Sequence, residues 1–527
     1  MKKIAFVLLP FLMVFFNSCE LTNEPFYHFV TEGVSAGDAN TLVQYNVGQY
    51  DIMADETASV SYYGHKLAVA SERKANSENI GSAELPVPAR VEADHWVNKN
   101  FACDFKRISS ARATGTSTFS KPEGYCGESH SVGDTRGFYI YDNNDNPVRR
   151  TGTLKYQGAY CDVWFIHNSK YVLSTDVKYE EIANKFDTIY KWETEVLGGL
   201  EITSDYSNII QSQDRVVVII ADLLEDAYDG QNGGTYGYCD YSDLYSKDSN
   251  KYSNECCSIY LDSYFYKIDR DSLISTIPHE FNHLLNFINK ILCKENAEDQ
   301  NSYSTWYTEM LAMVAEDMCT NLLGITDDFD EPKYNTVYYS RLPYFKEFYN
   351  LGFGNWRDET NEYLTFGDVY ASYANAYAFG AFLMRNYGGF ELLKELAKGP
   401  DMDEEAITNA LKKLNRKESD GSTATFRSAL KNFTKIIYGD SEYTLNKEQI
   451  AYSGNTSEEG LYFNSIDINK VTFPDEWVAS SSTNTPSSNG QLDLGPYGFY
   501  AINYDETLGD CSVTYIKGLI EYYFCKL

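Results

Sequence analysis

Three residues near the middle of the chain have types and spacing suited to metal chemistry. His279, Glu280 and His283 form an H-E-x-x-H pattern within residues 276–316. Positions i and i+4 of a helix share one face, so the two imidazoles can reach a single ion together. Glu280, beside the first histidine, is then placed to take a proton from a water on that ion. This pattern is the signature of a zinc hydrolase, most often one that cleaves peptides.

The pattern needs a third ligand. The other histidines, His28, His65, His95, His130 and His167, all lie upstream, and none has metal-ligand spacing to another. No histidine follows the motif, so the third ligand must be a carboxylate. Glu309 is the best candidate, within Trp306-Tyr307-Thr308-Glu309-Met310-Leu311-Ala312 at the start of a strong helix. This segment resembles the W-x-x-E-x-x-A pattern of gluzincins, zinc peptidases whose third ligand is a glutamate on a second helix. Two neutral imidazoles and one carboxylate leave a fourth position open for water. Glu316 is seven residues further on and faces the same side. A carboxylate there can hydrogen-bond the outer nitrogen of a ligand histidine and fix its tautomer. Asp317 is expected at the surface.

Pro278 directly precedes His279. A proline inside a helix removes a hydrogen bond and disfavours helical backbone at the residue before it. The simplest arrangement starts the active-site helix at about Pro278, with proline in the first helical position. A kinked helix beginning near Ser272 is the alternative. Either keeps the two histidines one turn apart.

A further donor is needed for the oxyanion that develops at a scissile carbonyl. The run Tyr370 to Leu383 resembles the helix of aminopeptidase-type gluzincins that carries a tyrosine three residues before a glycine. That resemblance selects Tyr377, ahead of Gly380, with Tyr370 and Tyr373 as rivals on the same segment. Together, HEFNH, WYTEMLAMVAED and YAFGAFLMRNYGG resemble the hyicolysin family of gluzincin metallopeptidases. The resemblance spans roughly residues 130–440, reaching upstream to Gly133-Asp134-Thr135-Arg136 and Phe186-Asp187-Thr188-Ile189-Tyr190. It implies a zinc-dependent endopeptidase acting on a protein or peptide. His279, His283 and Glu309 would be the Zn2+ ligands and Glu280 the catalytic acid and base. The G-x-M-E-N segment by which aminopeptidases hold a substrate's amino terminus is absent, which favours internal cleavage.

The elements that must position these residues can be read around them. Alternating segments at residues 137–141, 151–156 and 162–166, separated by turns such as Asp142 to Pro147, predict antiparallel strands. Asp142 to Pro147 reads as a hairpin turn rather than a calcium loop. Glu180 to Leu197 has helical apolar spacing and ends at Gly198-Gly199. Arg215 to Ala221 is a strand apolar on both faces, and Ser258 to Asp262 is expected to be a strand at the cleft edge. Helices are predicted over 305–323, 371–387, 390–397, 404–414 and 423–437. The fold class is α+β, a zincin-type catalytic domain flanked by β-rich regions. The expected layout is a signal peptide (1–19), a polar tether (20–85) and a β-rich domain (86–179). A catalytic domain (180–440, divided at 290/291) and a small β-rich tail (441–527) follow.

Length and composition bound what remains. A chain of 527 residues exceeds one typical core. A formal net charge of −32 argues against nucleic acid as a partner, because phosphates need clustered Lys and Arg. The 45 tyrosines read as an extracellular, β-rich surface. Lys2 and Lys3 followed by an apolar run to Phe16 form a signal segment too short to span a membrane. Ser18 before Cys19 resembles the bacterial lipobox, with Cys19 lipidated and anchored to the cell envelope, although Phe16 and Asn17 depart from it. Plain secretion is the alternative. In an exported chain some cysteines should pair, Cys511 with Cys525 for example, and no C-x-x-C pair is present. The competing functional class is a non-catalytic surface lipoprotein, an adhesin or binding module on a zincin shell.

Overall fold

The computed structural model describes most of residues 130–471, residues 497–503 and short paired strands on either side. Its centre is one six-stranded mixed sheet. The strands are β1 (Thr135–Tyr141), β2 (Pro147–Gln157), β3 (Cys161–Ile166), β4 (Val216–Ala221), β5 (Gly237–Tyr238) and β6 (Ser258–Asp262). Their order across the sheet is β5-β6-β4-β3-β2-β1. β3, β4 and β6 run parallel, while β1, β2 and the short β5 are antiparallel to their neighbours.

Local chemistry explains these strands. Asp142 Oδ1 accepts the backbone N–H groups of Asn144 and Asn146 at 2.9 and 3.0 Å, closing the β1–β2 hairpin from within. Every residue of β3, β4 and β6 is buried, as the continuous apolar run of β4 requires. Because β3 and β4 pair directly, the domain boundary expected between residues 179 and 180 runs through a single sheet. Ser258–Asp262 is likewise not the outermost strand: Gly237 and Tyr238 pair with Leu261 and Tyr260 and take the edge.

Two helices lie side by side on this sheet. α1 (Tyr179–Leu197) turns Ile182, Phe186, Ile189 and Val196 inward against β2 and β3. Asp262 ends β6 and accepts the N–H of Phe265 at 2.8 Å, capping α2 (Ser263–Ile268). α3 (Arg270–Asn286) follows immediately, against β5 and β6, and continues as a π-helical segment over Phe287–Leu292. Pro278 therefore sits inside α3 and does not start it. Burial of nearly the whole helix outweighs the roughly 3 kcal/mol that an internal proline costs.

The second half is helical: α4 (Thr305–Leu323), α5 (Val337–Phe348), α6 (Phe366–Tyr387), α7 (Gly389–Lys398), α8 (Asp403–Lys413) and α9 (Phe426–Phe433). α4 is buried on nearly all sides, packed between α3 and α6. A Cβ on Gly380 would meet Met310 Cγ at 2.7 Å and Val314 Cγ2 at 2.8 Å, so this glycine permits the α4–α6 approach. β7 (Ile450–Tyr452) and β8 (Leu461–Phe463) form a hairpin, with β8 against α4. Residues beyond 440 thus belong partly to the helical body rather than to a separate tail.

Thr41–Asn46 pairs between Phe499–Asn503 and Ile520–Cys525, so the stretch expected to be a tether supplies strands to the tail's sheet. Tyr236, Tyr238, Tyr260, Tyr307, Tyr339 and Tyr370 are fully buried, contrary to the expected tyrosine-rich surface. A buried phenol is tolerated where its O–H finds an acceptor, as Tyr307 does on the Leu396 carbonyl at 3.0 Å. Among the described residues, Cys161, Cys239, Cys256, Cys257 and Cys319 are buried. Cys19 and the side chains of Cys511 and Cys525 lie outside the described residues. No helix among the described residues is long and apolar enough to cross a membrane.

Candidate metal centre

α3 and α4 pack against each other, and their facing surfaces carry the polar residues of the site. Ser275, His279 and His283 recur at four-residue spacing down one face of α3, and all three are buried. Glu309 and Glu316, seven residues apart on α4, face them and are wholly buried. Charged groups enter such an interior only when paired or bound to a metal.

The ligating atoms of His279, His283 and Glu309 all lie within 4.8 Å of one another. Glu309 Oε2 is 3.3 Å from His279 Nε2 and 3.8 Å from His283 Nε2. Tetrahedral ligands held about 2.0–2.2 Å from one zinc ion stand roughly 3.3–3.6 Å apart. Donor set, burial and spacing therefore fit a metal ion held by two imidazoles and a carboxylate. The far side of His279 is also engaged: Nδ1 lies 2.8 Å from Glu316 Oε1. That contact directs Nε2 toward Glu309 and orients the ring.

Glu280 is wholly buried and lies against the edge strand. A Cβ on Gly237 would stand 3.0 Å from Glu280 Cγ, 2.8 Å from Thr276 Cγ2 and 2.9 Å from the Tyr260 carbonyl oxygen. Only a glycine lets β5 pass this close to the carboxylate-bearing turn of α3.

Tyr377 occupies a different place from the one expected of an oxyanion donor. Its hydroxyl donates to Asp317 Oδ2 at 3.0 Å, deep between α4 and α6. Asp317 is buried rather than at the surface, and takes two further bonds from Arg385 at 2.8 and 3.1 Å. It lies eight residues beyond Glu309, about 12 Å along the helix axis. The rivals pack elsewhere: Tyr370 stacks on Tyr344, and the Tyr373 ring meets Trp356 and the Arg341 guanidinium.

Three residues of this neighbourhood escaped the reading of the sequence. Gly237 carried no signal, being one glycine in a loop rich in them. Ser275 falls outside a helix that starts at Pro278, and inside the alternative helix from near Ser272 it is one serine with no ligand chemistry of its own. Glu193 of α1 had the spacing of a core position but the chemistry of a surface one. Its Oε1 accepts the Cys319 thiol at 3.4 Å. Burial holds this carboxyl well above the usual range, and the thiol and the neighbouring His279 offset that only in part.

A mixed sheet backing a helix with a buried His-His-Glu cluster is consistent with a peptidase domain. The model of the Peptidase M30 family matches residues 175–469, more than half of the chain, and the chain belongs to that family. No curated protein matches it. The match begins just before α1 and ends after β8, taking in every residue of the cluster.

Proposed function

We propose that this peptidase is an exported, zinc-dependent endopeptidase of the gluzincin type. The observation that carries the reading is the buried trio of His279, His283 and Glu309, whose ligating atoms lie within 4.8 Å of one another. A bound zinc ion would supply Lewis acidity and bring the pKa of a coordinated water down to about 7. The chain's own residues do the rest. His279 and His283 hold the ion from α3 and Glu309 holds it from α4. Glu316 keeps His279 in the tautomer that presents Nε2. Glu280 accepts a proton from the attacking water and delivers it to the departing amide nitrogen. β5, next to Glu280, offers an edge along which an extended peptide can add as a strand. The absence of a G-x-M-E-N segment supports internal cleavage over trimming.

Zinc analysis and a casein-cleavage assay on the same preparations test the assignment. Glu280→Ala is expected to keep its zinc and lose turnover, and full activity in that variant would sink the role given to Glu280. A metal-free, inert wild-type protein would instead favour the non-catalytic binding module. Export with a lipid on Cys19 is supported by the Lys2-Lys3 start, the apolar run and Ser18-Cys19. Labelled fatty acid should enter the wild type and not Cys19→Ala.

A further inference from the structure

Glu316 is gripped from two sides by one helix. Its Oε1 lies 2.8 Å from His279 Nδ1, and its Oε2 accepts the Ser275 hydroxyl at 3.2 Å. Ser275 and His279 are one turn apart on α3, and all three residues are buried. A serine within a helix commonly turns its hydroxyl back to the carbonyl four residues earlier. Thr276 does this, donating to the Ser272 carbonyl at 3.1 Å. Ser275 donates across the helix interface instead. A carboxylate fixed at one oxygen can still swing about its terminal torsion, which is broad and only two-fold. A second bond at the other oxygen removes that freedom and holds the first oxygen in line with the imidazole N–H.

We propose that Ser275 is a positioning residue of the metal centre, holding Glu316 so that His279 presents Nε2 to the ion. The assignment rests on the zinc reading above. It adds a third member to the arrangement, running from Ser275 through Glu316 to His279. Ser275 touches neither the ion nor the substrate, so its effect must pass through Glu316.

The test is zinc affinity of the full chain, measured by competition with a chromogenic chelator, together with the unfolding midpoint of each apoprotein. Ser275→Ala is expected to weaken zinc binding by about 3–10-fold, below the 10–100-fold typical of a ligand's direct partner. Ser275→Thr, which keeps a hydroxyl at the same carbon, should restore affinity to within about twofold. In a Glu316→Ala background the Ser275→Ala change should have almost no further effect, because the two act in series. A simple packing defect would not show that coupling or the rescue by threonine. Wild-type affinity in Ser275→Ala, or an undiminished loss in the Glu316→Ala background, overturns the assignment of Ser275 alone. A wild-type chain that binds no zinc overturns the metal reading itself.

Discussion

The Tyr377 hydroxyl stands 3.0 Å from Asp317 Oδ2, on a carboxylate that also takes two bonds from Arg385. Arg385 reaches on to the Asn464 carbonyl at 2.9 Å, so the group ties α4 and α6 to the segment after β8. Its role is cohesion of the helical half, and substitutions there should act on stability. Tyr377→Phe removes one buried hydrogen bond and should cost about 1 kcal/mol of stability. Its kcat should stay within a few-fold of wild type, whereas loss of an oxyanion donor lowers kcat by about 10²–10³. Asp317→Ala strands the buried Arg385 charge and should cost about 3–5 kcal/mol. Urea unfolding and casein kinetics on both variants decide between the roles. A hundredfold fall in kcat for a fully stable Tyr377→Phe would return Tyr377 to the reaction.

Gly237 faces Glu280 with no room for a methyl group. In Gly237→Ala the new Cβ would meet the Tyr260 carbonyl, Thr276 and Glu280 within 3.0 Å. The backbone oxygen cannot give way easily, so the adjustment falls on the strand and on Glu280. Displacements near 1 Å at a reacting group can reduce rates by about 10²-fold. The expected variant is folded and zinc-loaded, with kcat at least about tenfold down. Circular dichroism, zinc content and kcat on one preparation check this. Unchanged kcat with full zinc would show that β5 does not position Glu280.

The buried cluster was legible in the sequence because its signal is local. His279 and His283 sit one turn apart with Glu280 between them, and Glu309 lies in the first turns of a 19-residue helix that apolar content alone outlines. What failed was whatever depended on burial by distant segments. α5 was missed because Pro343 interrupts a tyrosine-rich stretch that packs only when α6 is present. α3 reaches back through Pro278 because β5, β6 and α4 bury it, and a propensity rule read along the chain cannot weigh that. Asp317 was expected to be exposed because its partner Arg385 lies 68 residues away. Pairing across that distance leaves no trace in spacing.

Removal of the proposed zinc should loosen α3 and α4, which carry the trio. Without an ion, two imidazoles and a carboxylate face one another in a buried site. An ion that binds only the folded state adds about 4 kcal/mol when free zinc is a thousandfold above Kd. Chelation should therefore lower the thermal midpoint of the wild type by several degrees, reversibly on adding zinc. Glu309→Ala, which lacks one ligand, should begin near the chelated midpoint and respond little to zinc. Differential scanning calorimetry with and without chelator measures both. Equal zinc responses in the two proteins would exclude Glu309 as a ligand.

Stability should also depend on pH through Asp243, which ties together the loop ahead of β6. Ser258 Oγ at 2.6 Å, the Asn254 N–H at 2.7 Å and the Tyr260 hydroxyl all donate to its carboxylate. Burial, and then the charge of Asp240, push its pKa up to about 7, with the three donors pulling the other way. In the unfolded chain the same group titrates near 3.8. The folded state therefore binds more protons between those values, and stability falls as pH rises from about 4 to about 7, then levels off. Asp243→Asn carries no titrating group at that position. Its urea midpoint should be lower at pH 5, because one acceptor is lost, but it should fall less between pH 5 and pH 7.5 than that of the wild type. Parallel slopes for the two proteins over that interval would remove Asp243 as their source.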